Sequence, residues 1–225
     1  MKSVWEQTGE HRDFAPLKGD ISIDVLIIGG GMAGILCAYL LHGAGVPYVL
    51  TEAETVCGGI TKNTTAKITI QHGLIYDKLL RRFGIGRAGQ YLCAQKAALQ
   101  KYRELCSGMD CDFEEKDAYV YALEEQRKLE QELSAMERLG FHGDFVEHLP
   151  LPFPVAGAVR VHNQAQFHPL KFVCCLAKGL HIYEHTPVRE LIGTTAVTDS
   201  GKVAAKAVIV ATPVSYTHLR AHETV

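Results

Sequence analysis

An apolar, β-branched run, Val25-Leu26-Ile27-Ile28, stops abruptly at three consecutive glycines, and that junction constrains the chain more than any other feature. Four such residues without a polar interruption suit a parallel strand buried on both faces. From Met32 to Leu41 the sequence stays almost wholly apolar through Ile35, Leu36, Cys37, Ala38, Leu40 and Leu41, then reaches Gly43-Ala44-Gly45. This predicts a buried helix with a glycine stop signal. Pro47 to Leu50 supplies a second strand. The whole is a βαβ unit with Gly29-x-Gly31-x-x-Gly34 at its first turn.

Each glycine has a physical task in such a turn. Gly29 permits the tight bend, Gly31 lets backbone approach a pyrophosphate, and Gly34 lets the helix pack closely on the strand. The helix N-terminus then offers free N–H groups and a positive dipole to phosphate. The acid expected on the ribose hydroxyls is Glu52, 18 residues after Gly34 and at the end of the second strand. A carboxylate there repels a 2′-phosphate, which disfavours NADP and leaves NAD and FAD open. Gly58-Gly59 suggests another close backbone approach, to ligand or to protein.

Composition narrows the function classes. At 225 residues and 47% hydrophobic content the chain is sized for one large domain or two small ones. Its 23 Lys and Arg against 25 Asp and Glu leave a net charge of -2, with no basic patch to attract nucleic acid or anionic lipid. Seven cysteines, odd in number and without a Cys-x-x-Cys pair, argue against a disulfide framework and for a reducing, cytoplasmic setting. Val25–Leu41 is free of charge for 17 residues, but a membrane span needs about 20 and this one holds three glycines in a row. Residues 1–20 read as a polar N-terminal extension with no signal peptide.

The segment Asp24-Val25-Leu26-Ile27-Ile28-Gly29-Gly30-Gly31-Met32-Ala33-Gly34, followed by Glu52 and Gly58-Gly59, resembles the opening of FAD-dependent oxidoreductases of the D-amino-acid-oxidase (DAO) type. Thr64-Thr65-Ala66-Lys67-Ile68-Thr69-Ile70-Gln71-His72-Gly73-Leu74, Gln166-Phe167-His168-Pro169-Leu170-Lys171 and Val208-Ile209-Val210-Ala211-Thr212 are similar to the subgroup that often carries a C-terminal Rieske [2Fe-2S] domain. The resemblance implies an α/β fold: a Rossmann-like FAD-binding domain with a parallel sheet, formed by residues 21–80 and 166–212, and an inserted α+β substrate or lid region, 81–165. It implies FAD contacts at Gly29, Gly30, Gly31, Met32, Ala33, Gly34, Glu52, Ala53, Gly58, Gly59, Thr64, Thr65, Lys67, Val188, Ala211 and Thr212. The activity implied is hydride transfer from a small amine or amino acid to flavin, with a small-molecule substrate and an electron-transfer partner left open. Lys67 and His72 are the candidates for a catalytic role.

Thr64, Thr65, Lys67, Gln71 and His72 admit two readings: a strand with exposed polar residues alternating through Ile68 and Ile70, or a set of groups beside the flavin ring. Elsewhere the pattern predicts helices over 86–106, 123–139 and 169–180, and strands within 113–123, 145–161, 181–184, 188–191 and 208–210. Cys174-Cys175 read as buried small hydrophobes, as do Cys106 and Cys111, and His168 as a residue that starts a helix. Histidines and cysteines show no metal-ligand spacing, and the Cys-x-His and Cys-x-x-His pair of a Rieske cluster is missing from the sequence. Residues 213–225 resemble translated adapter read-through, which suggests a non-native tail on an N-terminal fragment whose own activity would be lost. Two further classes stay open: a pyridine-nucleotide-linked flavoprotein reductase, and an inactive nucleotide-binding fragment.

Overall fold

The computed structural model describes residues 2–9 and 12–212. These fall into two compact units, one built from the residues up to Thr65 with those from His168 onward, the other from Ala66–Phe167.

The first unit is organised by β1 (Ile21–Ile28), α2 (Met32–Gly43) and β2 (Tyr48–Thr51), after a one-turn helix α1 (Val4–Thr8). The unit continues with α5 (Pro169–Leu176), β7 (Ile182–Tyr183), β8 (Val188–Ile192), β9 (Thr195–Thr198) and β10 (Gly201–Val210). Its six strands run in the order β7-β2-β1-β10-β9-β8. The first four are mutually parallel, with Val25 opposite Tyr48 on one side and Ala207 on the other. Leu26, Ile27 and Ile28 are all buried, as a central parallel strand requires. Leu26 and Ile28 share one face with Val49, Ala196 and Val203, and period-two alternation sends Ile27 to the other.

The second unit holds β3 (Lys67–Ile68), α3 (Tyr76–Cys106), β4 (Glu114–Ala122), α4 (Gln126–Arg138), β5 (Asp144–Val146) and β6 (Gly157–Gln166). Its sheet is antiparallel throughout, with β6 pairing β3, β4 and β5. Leu129 and Met136 on α4, seven residues apart on one helix face, are fully buried.

The structure departs from the sequence pattern at definite places. The first sheet is mixed, because β8, β9 and β10 form an antiparallel meander. Four-residue β9 carries too short a pattern to be seen. The strand expected at 208–210 begins at Gly201, since pairing with β1 extends it over polar and alanine positions. The helix expected from residue 86 starts at Tyr76 and kinks at Gly84, whose φ of 74° and ψ of 172° are non-helical. The seam between units falls at residue 65/66, so residues 66–80 pack with the second unit rather than with the first. Only Lys67 and Ile68 of the 64–72 segment are strand. α5 ends at Leu176, four residues before the expected stop. Cys174 is only half-buried and Cys175 is exposed, because the helix turns them off its apolar face; Cys106 and Cys111 are buried as expected.

The N-terminal extension is also structured. Ser3 and Glu6 form a reciprocal capping box on α1, and Trp5 Nε1 donates to the Thr64 carbonyl at 2.8 Å. His168 caps α5 through Nδ1, which accepts from Lys171 N at 3.2 Å, and Thr8 Oγ1 lies 3.0 Å from its Nε2. Residues 213–225, read as a non-native tail, lie outside the described residues.

Candidate functional site

In the turn after β1 the three motif glycines are required for different reasons. A Cβ on Gly34 would lie 1.9 Å from the Gly29 carbonyl oxygen, so only glycine lets α2 close on the strand. Gly29 has φ +110°, and a Cβ there would meet the Ala211 carbonyl at 3.0 Å. Gly31 differs: a Cβ would find only Thr61 Oγ1, at 3.6 Å. The protein itself therefore places no steric demand for glycine at 31. Gly31 is also the N-cap of α2 and supplies no side-chain cap, so the first helical turn presents backbone N–H groups outward. One of these, Met32 N, donates to Thr61 Oγ1 at 3.2 Å.

Glu52 stands at the end of β2 and turns its carboxylate onto the glycine turn. Oε2 accepts from Gly30 N at 2.6 Å and Oε1 from Glu54 N at 3.0 Å. A Cβ on Gly30 would meet the Glu52 side chain at 3.0–3.1 Å, so that glycine makes room for the acid. The following loop is strapped to the same turn, with Cys57 N donating to Gly30 O at 2.9 Å. Cys57 holds φ +57°, a conformation that costs energy outside glycine and here marks an over-determined loop. Burial pushes its thiol up to about 12, which makes it a packing group rather than a nucleophile.

Two residues that support this loop carried no sequence signal. Glu184 is buried, and its carboxylate accepts from Val56 N at 2.6 Å and Phe14 N at 2.9 Å. Thr61 meets both Met32 N and the Cys57 side chain. Glu184 lies 128 residues from Val56, a pairing that no local pattern encodes.

Ala211 donates its N–H to Ile28 O at 2.8 Å and presents Cβ 3.5 Å from the Cβ position of Gly34. Thr212 follows, its methyl 3.0 Å from the Cβ position of Gly29, and its buried hydroxyl has no partner among the described residues. The structure thus brings Gly29, Gly30, Gly31, Met32, Gly34, Glu52, Ala211 and Thr212 together at the carboxyl ends of β1 and β10. Ala33 and Ala53 are exposed beside them, while Gly58 is half-buried and Gly59 exposed further along the loop. Val188 starts β8, and its side chain packs on the cluster of Leu26, Ile28 and Val49.

Thr64 and Thr65 end the first segment of this unit, just before the seam. In the second unit, Lys67 is exposed on β3 and His72 is exposed with Nε2 3.2 Å from Gln95 Oε1. Gln71 is buried, against the exposed position that a simple alternating strand would give it. Among the described residues no group of three or more His, Cys, Asp or Glu is placed to hold a metal ion, and no helix is long and apolar enough to cross a membrane.

Residues 24–223 match the family described as FAD dependent oxidoreductase, DAO. The chain is 38% identical over 194 residues to YhfW of Bacillus subtilis (strain 168), whose name is that of a Rieske 2Fe-2S iron-sulfur protein; the match covers 82% of this chain and 38% of that one. It is 24% identical over 219 residues to gamma-glutamylputrescine oxidoreductase of Escherichia coli (strain K12), covering 90% of this chain and 51% of the relative. In three dimensions it is similar to the L-proline dehydrogenase of P. horikoshii, with a TM-score of 0.72 at 15% identity, covering 91% of this chain and 55% of that one. Similarity to the glycine oxidase of Geobacillus kaustophilus has a TM-score of 0.66 at 19% identity and covers 88% and 57%. The chain therefore spans about four- to six-tenths of the length of these proteins.

Proposed function

The chain belongs to the FAD-dependent oxidoreductase family, and from that premise we propose that its glycine turn holds the pyrophosphate of FAD in a protein that oxidises a small amine or amino acid. The observation that carries this reading is the contrast between Gly34, where a Cβ would strike backbone at 1.9 Å, and Gly31, where it would make only an ordinary contact with Thr61 Oγ1 at 3.6 Å. A glycine that packing does not require, at the N-cap of α2, a helix buried only at Gly34, Ile35 and Ala38 and not throughout as its apolar run suggests, suits the approach of a diphosphate. The buried Thr212 hydroxyl beside Gly29, without a partner among the described residues, is a further donor suited to the same ligand.

In this reading Gly29, Gly30, Gly31, Met32, Ala33 and Gly34 form the phosphate turn, and Glu52 accepts from the ribose hydroxyls while keeping its bond to Gly30 N. Ala53, Gly58, Gly59, Thr64, Thr65, Val188, Ala211 and Thr212 complete the cofactor contacts, with the first unit as the FAD-binding domain and the second, residues 66–167 rather than 81–165, as the inserted substrate region. FAD, when bound, supplies the acceptor for a hydride from a C–H bond next to nitrogen. Lys67 and His72, both exposed in the second unit, are that unit's candidates for a catalytic role by their chemistry, a cation and an imidazole. The oxidoreductase, dehydrogenase and oxidase names among the relatives support the class of reaction.

Titration with FAD, followed by flavin fluorescence, tests the cofactor assignment. The wild-type chain is expected to bind FAD, and Gly31→Val to lose at least tenfold in affinity with little change in melting temperature. A wild-type chain that retains NAD and ignores FAD rejects the assignment, as does a Gly31→Val protein that binds FAD unchanged.

A further inference from the structure

The N-terminal extension, which carries none of the proposed cofactor contacts, closes one side of a cavity that lies wholly within the first unit. The cavity has a volume of about 250 Å³ and is lined from α1, the loop after β2 and α5. That volume falls below the roughly 300–1,000 Å³ of sites for drug-sized ligands, so an occupant must be small. Phe14, Val56, Leu170, Val173 and Ala177 give it an apolar wall. Of the residues assigned above to FAD, Gly58 alone lines it.

The wall is fixed from two sides. The buried Glu184 carboxylate ties the loop to the extension, accepting from Val56 N at 2.6 Å and from Phe14 N at 2.9 Å. At the end of α1, Gly9 closes on α5, where a Cβ would meet Leu170 Cβ at 3.0 Å. A site held in shape before its ligand arrives loses little conformational freedom on binding.

The charged groups of the lining are unequal in sign: Lys2, Arg12 and Lys62 stand with a single acid, Glu6. Glu6 is already engaged, its Oε1 3.0 Å from Lys62 Nζ and its Oε2 accepting from Ser3 N at 2.9 Å. Lys2 has no carboxylate partner among the described residues. Arg12 donates from Nε to Cys174 Sγ at 3.3 Å, and its two Nη groups have no acceptor among the described residues. Two guanidinium N–H groups in one plane match the two oxygens of a carboxylate, whereas a bare inorganic anion would leave the apolar wall unused. We propose that this cavity binds a small carboxylate with an apolar body, its carboxylate on Arg12 and Lys2 and its body on Phe14, Leu170 and Val173.

Calorimetric titration of the full chain with phenylacetate, phenylacetamide, acetate and inorganic phosphate, each with and without FAD, is the test. Alkylation by iodoacetamide, read at each cysteine by mass spectrometry, locates the site, because Cys174 lines the cavity while the exposed Cys175 does not. Phenylacetate is expected to bind roughly tenfold or more tightly than the other three, since it alone offers both the ring and the carboxylate. Arg12→Gln, a change at an exposed position, should cost about tenfold in phenylacetate affinity with no change in melting temperature. Bound phenylacetate should slow alkylation of Cys174 and leave that of Cys175 unchanged. Phosphate or phenylacetamide binding as tightly as phenylacetate overturns the proposal, as does a wild type that binds none of the four. Unchanged affinity in Arg12→Gln, or equal slowing at both cysteines, overturns it too. Loss of phenylacetate binding in the presence of FAD would merge the cavity with the cofactor site and overturn the proposal while leaving the FAD assignment intact. A chain that binds phenylacetate in this way but no FAD upholds it and rejects the cofactor assignment alone.

Discussion

The glycine turn of the first unit and the Ala66–Asp77 stretch of the second both hold backbone in place, but they do so by opposite means. At Gly29–Gly34 the missing side chains allow close contact: carbonyl against helix at Gly34, carboxylate against amide at Gly30. At Ala66–Asp77 long side chains reach in from distant segments, Gln164 to Ile70 and Glu132 to Tyr76 and Asp77. Both regions contain one position where these internal demands stop. In the first it is Gly31, which the protein does not need as glycine, and in the second Gln71, whose amide has no hydrogen-bond partner among the described residues. Gly31, which packing does not require as glycine, is where a ligand is expected to be felt.

The largest effect should come from closing the tightest contact. Gly34→Ala forces a methyl against the Gly29 carbonyl, and urea unfolding should show a loss of roughly 3 kcal/mol or more. A Gly34→Ala protein as stable as Gly31→Ala would erase the distinction between the two glycines.

Removing the side-chain support in the other region comes next. Glu132→Ala strips two backbone N–H groups of their acceptor and leaves a hole in a buried site, at an expected cost of about 2–4 kcal/mol by the same measurement. The wild-type carboxyl also sets a pH dependence. Burial is the largest influence on it and holds it above the ordinary glutamate range, against the lowering effect of the backbone donors. The folded state then keeps this proton to higher pH than the unfolded chain does, so its contribution to stability is full below the ordinary value and declines as pH rises through the raised one. Melting temperatures across that window should show the decline in the wild type and a flatter profile in Glu132→Ala.

A smaller effect is expected where a side chain serves both protein and ligand. Glu52→Ala should weaken FAD binding by roughly 1.5–3 kcal/mol, the scale of hydrogen bonds to a charged group, as measured by titration. Equal affinity in the two proteins would confine Glu52 to holding the Gly30 and Glu54 amides.

What was legible in the sequence was legible because the cause is local. The strand at Val25–Ile28, the helix after it and the second strand follow from unbroken apolar runs and glycine punctuation; the structure extends the first two by a few residues and shifts the second strand by one. His168 as the start of α5 follows from the proline after it. The antiparallel meander was not legible, because β9 is four residues long and the polarity of a strand pair is set by how the chain returns rather than by composition. Nor was the capped helix α1, whose five residues form no apolar stripe.

The sequence alone determined that a βαβ unit with a glycine turn and a terminal acid would stand near the start of the chain, since glycine's freedom and β-branched bulk act within a few residues. Only the tertiary structure decided which of those glycines the packing requires, that Glu184 ties the loop after Glu52 in place, and that Gln164 is paired while Gln71 has no partner among the described residues. Those distinctions depend on groups 94 and 128 residues apart meeting in space, and hydrogen-bond partners and close contacts at that separation are set by the folded arrangement, which no local pattern carries.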